Sequence, residues 1–586
     1  MPHETKHLPA TEEEVRARGW DALDVILVTG DAHVDHPSFP AALLGRVLEA
    51  AGYRVGIISR PDPQDPADVS RLGLPRLFFG VTAGSLDSMV GNYTAQKRRR
   101  RDDPFAPGGL AGGRPDRAVT AYCNVIRRAF GKSAFIVAGG LEAGLRRFAH
   151  YDFWSDSVRR PLLMDCGANV LVHAMGEGPV VEIARRLQHL QRENPPLAAA
   201  GKTARRLDIE SKTAALRDVP GVVYRVPKSR PEPDNGLPLP SAQEVADDPK
   251  THAKAYAIQE KNRGRLLWQD CAGMRVIANP PWPPLGPEEI DRIYSLPFTR
   301  NVHPTQAGRR VPALEQVRFA VTTHRGCFGG CAFCAIGANQ GKTISSRSAA
   351  SILDEVRRIV AHPEFRGTIT DLGGPTANMY SLGCMKKDEC DRPSCLWPEM
   401  CRHLRVDQAP FMDILRQAEE VPGVRHLFVT TGVRTDLAVL SEPFVRQLAR
   451  KHTSGQMKVA PEHVSPPVLS LMRKPVIDSF LRFLKLHRRF SREAGRKQYV
   501  LPYLIAAHPG SRMEDMVRVR RFLQAHGLKV EQCQIFTPTP GTAATVMYAT
   551  GLDPATLQPV FVERDPKEKE KQKAMILHHL PAASKK

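Results

Sequence analysis

Three cysteines lie close together near the middle of the chain: Cys327, Cys331 and Cys334, in the segment THRGCFGGCAFCAIG (323–337). Thiolates at this spacing in a glycine-rich stretch can wrap around a metal centre. A structural zinc site takes four protein ligands, and a [4Fe–4S] cluster takes four thiolates for complete ligation. Three thiolates therefore predict an iron–sulfur cluster with one iron left for a substrate or cofactor. The competing interpretation is a zinc loop completed by His324 or a distant thiol.

A second cysteine group follows at Cys384, Cys390, Cys395 and Cys401, in CMKKDECDRPSCLWPEMC. Four thiolates suffice to ligate an auxiliary [4Fe–4S] cluster completely, and equally suffice for a structural zinc ion. The spacing does not decide between these metals. Free thiols in a long insertion are the remaining alternative.

Six strand-like apolar runs recur between residues 313 and 548, and amphipathic helical segments separate most of them. This alternation predicts a (β/α)6 partial barrel with a cysteine-rich insertion at 384–401. The first cysteine group directly follows the first run, and parallel barrels place their chemistry at the carboxyl ends of the strands. The runs are QVRFAVTTH (316–324), GTITDLGG (367–374), RHLFVTTG (425–432), QMKVAPE (456–462), QYVLPYLIA (498–506) and VEQCQIFTP (530–538).

The first 200 residues also alternate strand-like and helical segments, which predicts a doubly wound, Rossmann-like domain at 1–200. Ligands of such sheets bind beyond the carboxyl ends of the strands, here GDAHVDH (30–36), GG (139–140) and GEG (176–178). Residues 201–312 mix proline-rich connectors with a helical pattern and are predicted to form a linker and helical bridge. Residues 549–586 are predicted to be a charged C-terminal extension with a disordered end.

The composition of the 586-residue chain, 42% hydrophobic and 25% charged, is typical of a globular protein. We see no signal peptide and no run of about 18 apolar residues, so we expect a cytoplasmic protein with no membrane partner. Eleven cysteines in that compartment argue against a disulfide framework. The net charge of +21 can attract nucleic acid, although the run KRRRR (97–101) is interpreted as a solvated surface loop.

The Cys-x3-Cys-x2-Cys spacing, with Phe333 before the last cysteine, resembles the signature of the radical S-adenosylmethionine (SAM) superfamily. The resemblance implies a [4Fe–4S] cluster on the three thiolates, with the SAM amino and carboxylate groups on the fourth iron. It further implies reductive cleavage of SAM to methionine and a 5′-deoxyadenosyl radical that abstracts hydrogen from a substrate. A flavodoxin or ferredoxin is the implied electron donor.

The segment DLGGPT after the second strand is similar to the superfamily's Gly-Gly-Glu motif, which faces the SAM amino group. Gly373 and Gly374 match that motif, and Phe333 is the third residue that the resemblance places at SAM. Pro375 stands where the motif has glutamate, so only a backbone role carries over. The segments LMRKP, HPGSRMED and TPTPGTAA are similar to tRNA methylthiotransferases, but their tRNA substrate is not thereby implied.

Over nearly its full length the chain most resembles the YgiQ-type radical SAM proteins. The segments DAHVDHPSF, HRGCFGGCAFCAIGANQGK and VAPEHVSPPVLSLMRKP carry this match. The N-terminal segment is also similar to cobalamin-binding domains, where Asp31-x-His33-x-x-His36 approaches an Asp-x-His-x-x-Gly pattern. Histidine in place of glycine disfavours cobalamin, which stays an open alternative beside a substrate-binding or structural cap.

The leading hypothesis is therefore a radical SAM enzyme acting on an unknown substrate. A basic, metal-stabilised nucleic-acid-binding protein without catalysis is the alternative from another class, and a radical SAM enzyme that modifies RNA combines the two. No catalytic residue beyond the cluster ligands is assigned. Glu462, His463 and His508 are candidates because they lie near predicted strand ends.

Overall fold

The computed structural model describes residues 6–193, 209–386, 390–531 and 533–577. The predicted boundary at residue 200 and the end of the charged extension, 578–586, lie outside these ranges. The chain forms two compact units. The N-terminal unit comprises Met1–Pro283 and Leu296–Arg318, and the C-terminal unit comprises Pro284–Ser295 and Phe319–Lys586, as far as each is described.

A nine-stranded sheet forms the centre of the N-terminal unit, in the order β2-β1-β3-β4-β7-β8-β11-β10-β9. Its first five strands are all parallel, and their order is that of a doubly wound sheet of the flavodoxin type. All five are runs that the sequence predicts as strands. They are β1 (Val25–Thr29), β2 (Val55–Ser59), β3 (Phe78–Thr82), β4 (Ile136–Ala138) and β7 (Val170–Val172).

Helices cover both faces of this parallel half, which explains why its strands are continuously apolar rather than alternating. On one face the helices Pro40–Ala50 and Glu177–Glu193 pack against the side chains of β1 and β2. On the other face the helix Ala118–Phe130 packs against the alternate side chains of the same strands. The carboxyl ends of β1 and β3 therefore lie at the switch point of the sheet.

The predicted bridge at 201–312 differs from the structure, because its middle part continues the same sheet. Strand β7 pairs antiparallel with β8 (Val222–Pro227), followed by β11 (Met274–Ala278), β10 (Leu267–Cys271) and β9 (Leu237–Leu239). An unpaired β7 would expose a row of backbone donors and acceptors, and this addition pairs them. Proline-rich connectors flank these short strands, so the sequence pattern did not identify them as strands.

Residues 296–318 also belong to the N-terminal unit, so the predicted barrel boundary at 313 falls within it. The remaining elements of this unit are the hairpin β5 (His150–Asp152) and β6 (Ser157–Arg159), the short 3-10 turns Pro107–Gly109, Gly131–Ser133 and Pro304–Gln306, and the helices Glu12–Ala17, Pro66–Ser70, Ser88–Asn92, Gly140–Leu145, Leu162–Asp165, Ala242–Asp247, Pro249–Lys261 and Pro312–Val317.

The C-terminal unit contains a strand at each of the six runs predicted for a partial barrel. The strands are β12 (Ala320–Thr322), β15 and β16 (Thr368–Ile369, Asp371–Gly373), β19 (His426–Leu427), β20 (Gln456–Glu462), β21 (Tyr499–Ala506) and β22 (Cys533–Ile535). Their ladders are parallel, and a parallel bridge between Val433 and Val459 joins the third run to the fourth. The predicted (β/α)6 partial barrel is confirmed.

One large apolar core lies between these strands and the surrounding helices. The helices are Pro287–Ser295, Ile336–Gln340, Ala349–Val360, Ala409–Glu419, Thr435–Ala438, Glu442–Gln447, Pro466–Leu471, Asp478–Glu493, Met513–Ala525, Ala543–Thr550 and Pro566–Leu577, with a 3-10 turn at Ala377–Met379 and a π-helical turn at Leu448–His452. Two small hairpins pair β13 (His324–Arg325) with β14 (Ser345–Ser346) and β17 (Gly383–Cys384) with β18 (Leu404–Arg405).

The C-terminal extension is ordered as far as the structure describes it. The helix Pro566–Leu577 packs against β22 and the helix Met513–Ala525, and Ile576 is completely buried in the barrel core. Much of the extension is therefore a structural part of the barrel. In the described ranges, no helix is both long enough and apolar enough to span a membrane.

Candidate active site

The first cysteine group lies in the loop 326–336, which follows β12 and β13 and is called the cluster loop below. Cys327, Cys331 and Cys334 line one cavity of about 200 Å³ at the carboxyl ends of the barrel strands. The structure thus brings together all three thiols that the sequence predicts as ligands. Phe333, predicted to contact SAM, lines the same cavity.

These thiols surround the cavity without meeting at a point. Among the described residues, no three Cys, His, Asp or Glu side chains lie close enough together to hold a single metal ion. A zinc ion with Zn–S bonds of about 2.3 Å would draw its sulfurs to within about 4 Å of one another. A [4Fe–4S] cluster binds each thiolate at a different iron, so three thiols that line one cavity can hold it without converging on a single point.

His324, the proposed fourth zinc ligand, is fully buried behind the cavity. Its Nδ1 lies 2.9 Å from Thr323 Oγ1, and burial lowers its pKa to about 4. A Cβ added to Gly374 would lie 2.5 Å from the His324 ring, so this ring needs a glycine beside it. His324 is a neutral packing residue.

Distant segments of the barrel fix the cluster loop. The Ala332 N–H donates to the Met472 carbonyl oxygen at 3.0 Å, and the Ala544 N–H donates to the Ala332 carbonyl oxygen at 2.9 Å. The Cys327 N–H donates to the Gly341 carbonyl oxygen at 3.1 Å. The three thiols are therefore positioned before any metal binds.

Burial dominates the electrostatics of the bare thiols. It raises the pKa of Cys334 to about 12, and the neighbouring Cys331 and Cys327 act in the same direction. Burial also raises the pKa of Cys327. Metal ligation requires thiolates, so loading the site must release protons from these buried groups.

Arg434 and Asp436 are site residues that the sequence analysis missed. Arg434 Nη1 approaches Cys331 Sγ at 3.6 Å, while Nη2 forms an ion pair of 2.6 Å with Asp436. Both side chains line the cavity and are at least 90% buried. Burial alone would raise the pKa of Asp436, but the charge and hydrogen bond of Arg434 outweigh burial and lower the pKa of that carboxyl. The only sequence signal was their place in VRTD, after the third strand.

Glu462, a candidate from the sequence, also lines the cavity. It ends β20 with a φ of +68°, a left-handed conformation that is costly for glutamate and typical of functional sites. Burial raises its pKa, whereas Lys474 and Arg434 act against that rise. Lys474 Nζ donates to the Ala460 carbonyl oxygen at 2.6 Å. Glu462, Lys474 and Arg434 give the cavity a polar wall with charges of both signs.

The other candidates lie behind the cavity wall. Burial lowers the pKa of His463 to about 4 and that of His508 to about 3, so both are neutral. His508 packs edge-on against Phe333 with 6.0 Å between ring centroids.

Gly373 ends β16 beside Thr431, and the residues directly after the glycine pair, Pro375 and Thr376, line the cavity.

The second cysteine group lies between β17 and β18, in the insertion of which residues 387–389 are outside the described ranges. Cys395 and Cys401 are buried, whereas Cys384 and Cys390 are partly buried. All eleven cysteines are free thiols.

The switch point of the N-terminal sheet is filled by the unit's own side chains. Arg114 is fully buried and donates to Asp31 Oδ1 at 3.0 Å and to the Ala83 carbonyl oxygen at 2.7 Å. His33 is 2% exposed and stacks on His303 with 4.3 Å between ring centroids. His36, at the glycine position of the cobalamin pattern, lies 3.0 Å from Arg300 through Nε2. Both ring nitrogens of His33 are buried without a hydrogen-bond partner among the described residues, so cobalamin stays an open alternative.

Family models match nearly the whole chain. A radical SAM N-terminal model matches residues 7–320, a radical SAM superfamily model matches 321–523, and a domain of unknown function, DUF3362, matches 531–584. A UPF0313 protein of Methanocella arvoryzae is 45% identical over 578 residues, covering 97% of this chain and 93% of the relative. A UPF0313 protein of Geobacter sulfurreducens is 46% identical over 581 residues, covering 98% and 92%.

A solved structure shares the fold across both units. It is the radical SAM methyltransferase TsrM from Kitasatospora setae, with cobalamin and a [4Fe–4S] cluster bound. The match has a TM-score of 0.50 at 15% identity and covers 90% of this chain and 78% of that one. At this identity the likeness concerns the fold.

Proposed function

The chain belongs to the UPF0313 family of radical SAM proteins, and we propose that its [4Fe–4S] cluster is held by Cys327, Cys331 and Cys334 while SAM occupies the adjoining cavity. It is a radical SAM enzyme, whose cofactors are the cluster and SAM. The observation that carries the assignment is that all three thiols line one cavity at the carboxyl ends of the barrel strands. The missing fourth thiolate leaves one iron for SAM.

When bound, the cluster and SAM supply the reductive cleavage of SAM to methionine and a 5′-deoxyadenosyl radical, which acts on a substrate not yet known. The chain's own residues bind and orient. Glu462 and Lys474 place opposite charges on the cavity wall, which suits the zwitterionic methionine end of SAM. Phe333, supported by His508, offers an apolar ring, and the turn after Gly373 and Gly374 offers backbone groups.

The test is electron paramagnetic resonance of anaerobically reconstituted, dithionite-reduced protein with and without SAM. The triple variant C327A/C331A/C334A is compared with the control Cys271→Ala, which removes a buried thiol of the N-terminal unit. We expect a cluster signal that SAM perturbs in the wild type and the control, and no SAM response in the triple variant. A SAM response that survives in the triple variant would exclude the assigned ligands.

RNA is the substrate class that a specific observation favours. A cavity of about 580 Å³ on the C-terminal unit is lined by Glu442 and by four exposed cations: Arg416, Arg446, Arg450 and Lys451. Arg416 and Lys451 are also paired with Glu420 and Glu419. Together with the net charge of +21, the four cations form a surface suited to phosphate groups. The alternative without catalysis, a zinc-stabilised nucleic-acid-binding protein, would use the same surface but would contain zinc instead of iron.

RNA binding by this surface must depend steeply on salt, because phosphate contacts release counterions. We expect the double variant R446E/R450E to weaken binding of a generic RNA and to flatten its salt dependence. The matched control K254E/K261E makes the same charge change on exposed lysines of the N-terminal unit. Equal effects of the two double variants, or binding that is insensitive to salt, would contradict the proposal.

The electron donor in this proposal is a flavodoxin or ferredoxin, an acidic partner that a basic surface would attract. The compartment is the cytoplasm, whose reducing conditions suit eleven free thiols. Cobalamin has no part in the proposal, because His36 stands at the glycine position of the cobalamin pattern. Hydroxocobalamin mixed with the protein should be lost on desalting, and its retention in a stoichiometric amount would overturn this exclusion.

A further inference from the structure

The cysteine-rich insertion (384–401) is an irregular segment held by very few apolar residues. Between β17 and β18 its described residues form neither helix nor strand. Irregular segments longer than about 12–15 residues are uncommon inside compact domains and are usually functional. The insertion contributes only Cys395, Leu396 and Cys401 to a small buried cluster. Something other than an apolar core must hold it.

Backbone contacts gather the four cysteines of this segment. The β17–β18 ladder pairs Cys384 with Leu404, and the Leu404 N–H donates to the Cys401 carbonyl oxygen at 3.0 Å. The Cys401 N–H in turn donates to the Cys395 carbonyl oxygen at 2.8 Å. The segment therefore folds back on itself around its thiols.

A lysine side chain binds the backbone at Cys390. Lys342 Nζ donates to the Cys390 carbonyl oxygen at 2.6 Å and to that of Arg392 at 3.1 Å. Arg392 Nε in turn donates to the Ser394 carbonyl oxygen at 3.3 Å, so this part of the segment folds back beside Cys395. Cys395 and Cys401 belong to the same small buried cluster.

We propose that Cys384, Cys390, Cys395 and Cys401 ligate a second iron–sulfur cluster. Four thiolates complete the ligation of a [4Fe–4S] cluster, so this centre would have no iron open to SAM. A structural zinc ion takes the same four thiolates, so the iron and zinc contents measured below decide between the two centres.

The second centre would lie directly against the cluster loop. The Cys395 N–H donates to the Phe328 carbonyl oxygen at 3.0 Å, and Ser394 Oγ donates to the Gly329 carbonyl oxygen at 2.7 Å. Gly330 has a φ of +61°, and a Cβ there would lie 2.3 Å from the Pro393 carbonyl oxygen. The insertion therefore packs on the backbone between Cys327 and Cys331.

The experiment measures iron, sulfide and zinc per chain after anaerobic reconstitution of three variants and the wild type. The variant C327A/C331A/C334A removes the first group, C384A/C390A removes the two less buried thiols of the second, and Cys271→Ala is the control. With four irons per cluster, we expect about eight irons in the wild type and control. We expect about four in each of the other two variants.

The first-group variant decides the inference even if C384A/C390A does not fold. About four irons with a cluster signal in Mössbauer spectra of that variant would support the second cluster. An iron-free first-group variant, or one zinc per chain bound in it, would overturn the proposal. The SAM response of the wild type is measured separately, so failure of the second cluster is distinguishable from failure of the proposed function.

Discussion

Arg434 offers the sharpest test of the site, because it carries a buried positive charge beside a proposed cluster ligand. Its Nη1 lies 3.6 Å from Cys331 Sγ, and its other amino group is paired with Asp436 at 2.6 Å. A positive charge stabilises an electron added to the cluster, and a negative charge destabilises it. Substitutions of the two partners should therefore shift the reduction potential in opposite directions.

The size of each shift follows from the two distances. At an effective dielectric constant of about 20, a charge 3.6 Å from the sulfur contributes about 5 kcal/mol. The Asp436 carboxylate, about 6 Å away if the ion pair points outward, offsets about 3 kcal/mol of this. The pair thus favours the reduced cluster by about 2 kcal/mol, or about 80 mV for one electron. These are upper limits, because the added electron spreads over the cluster.

The variants are Arg434→Gln and Asp436→Asn. Without Arg434 the buried Asp436 should take up a proton, so the whole pair is lost and the potential falls by up to about 80 mV. Asp436→Asn removes only the negative charge and should raise the potential by up to about 120 mV. Redox titrations followed by electron paramagnetic resonance give both midpoints, and Arg434→Lys is the charge-conserving control. Shifts of the same sign, or no shift in either variant, would refute the placement of Arg434 beside the cluster.

Three further predictions concern the fold. Ile576→Ala should lower the free energy of unfolding in urea by about 2–4 kcal/mol because Ile576 is fully buried in the barrel core; an effect no larger than that of exposed Lys571→Ala would remove this helix from the core. Gly374→Ala should cost about 1–3 kcal/mol, since its Cβ would overlap the His324 ring, whereas Gly383→Ala meets nothing within 4 Å and should be neutral. Burial lowers the pKa of His150 and His173 to about 3, so the unfolded chain binds more protons below about pH 6.5. Stability should therefore be complete above that pH and fall as the pH drops towards 3, and an equal or higher urea midpoint at pH 5 than at pH 7 would contradict this.

Much of the fold was predictable because its strands are largely apolar. The run DVILVTGD became a strand that is buried on both faces, and QYVLPYLIA became a strand whose burial alternates. Burial in a parallel sheet produces an apolar run within a single segment, so the strand can be recognised without knowing which strands pair with it. Strand order could be anticipated only because helical segments separate the runs.

The edge of the N-terminal sheet was not predictable in the same way. Strands β8 to β11 are short, and prolines flank them in GVVYRVP and MRVIANP. Their pairing partners are β7 and one another, so what stabilises them is a ladder rather than a local pattern. The packing of the C-terminal helix could not be predicted for a related reason. The apolar residues of KQKAMIL are few, and only the structure shows that they pack against the barrel.

The residues of the candidate site also fall into those with a local sequence signal and those without one. Cys327, Cys331 and Cys334 were identified because their ligand type and spacing are local. Arg434 and Lys474 come from distant loops of the barrel and carry no spacing signal. Glu462 was identified as a candidate from its position at a strand end, and the structure adds the left-handed φ and the burial. His324, at the motif itself, proved to be a packing residue.

The backbone hydrogen bonds that position the three thiols come from segments far apart in the sequence. Segments near Gly341, Cys395, Met472 and Ala544 bond to the cluster loop, and the last two lie more than 100 residues from it in the sequence. An incomplete ligand set requires such bracing, because a flexible loop with three thiols could close around a single ion instead of leaving room for a cluster and its fourth ligand. The hydrogen bond from the Ala544 N–H to the Ala332 carbonyl oxygen therefore links the C-terminal part of the barrel directly to the cluster loop. No cysteine pattern could have shown this contact.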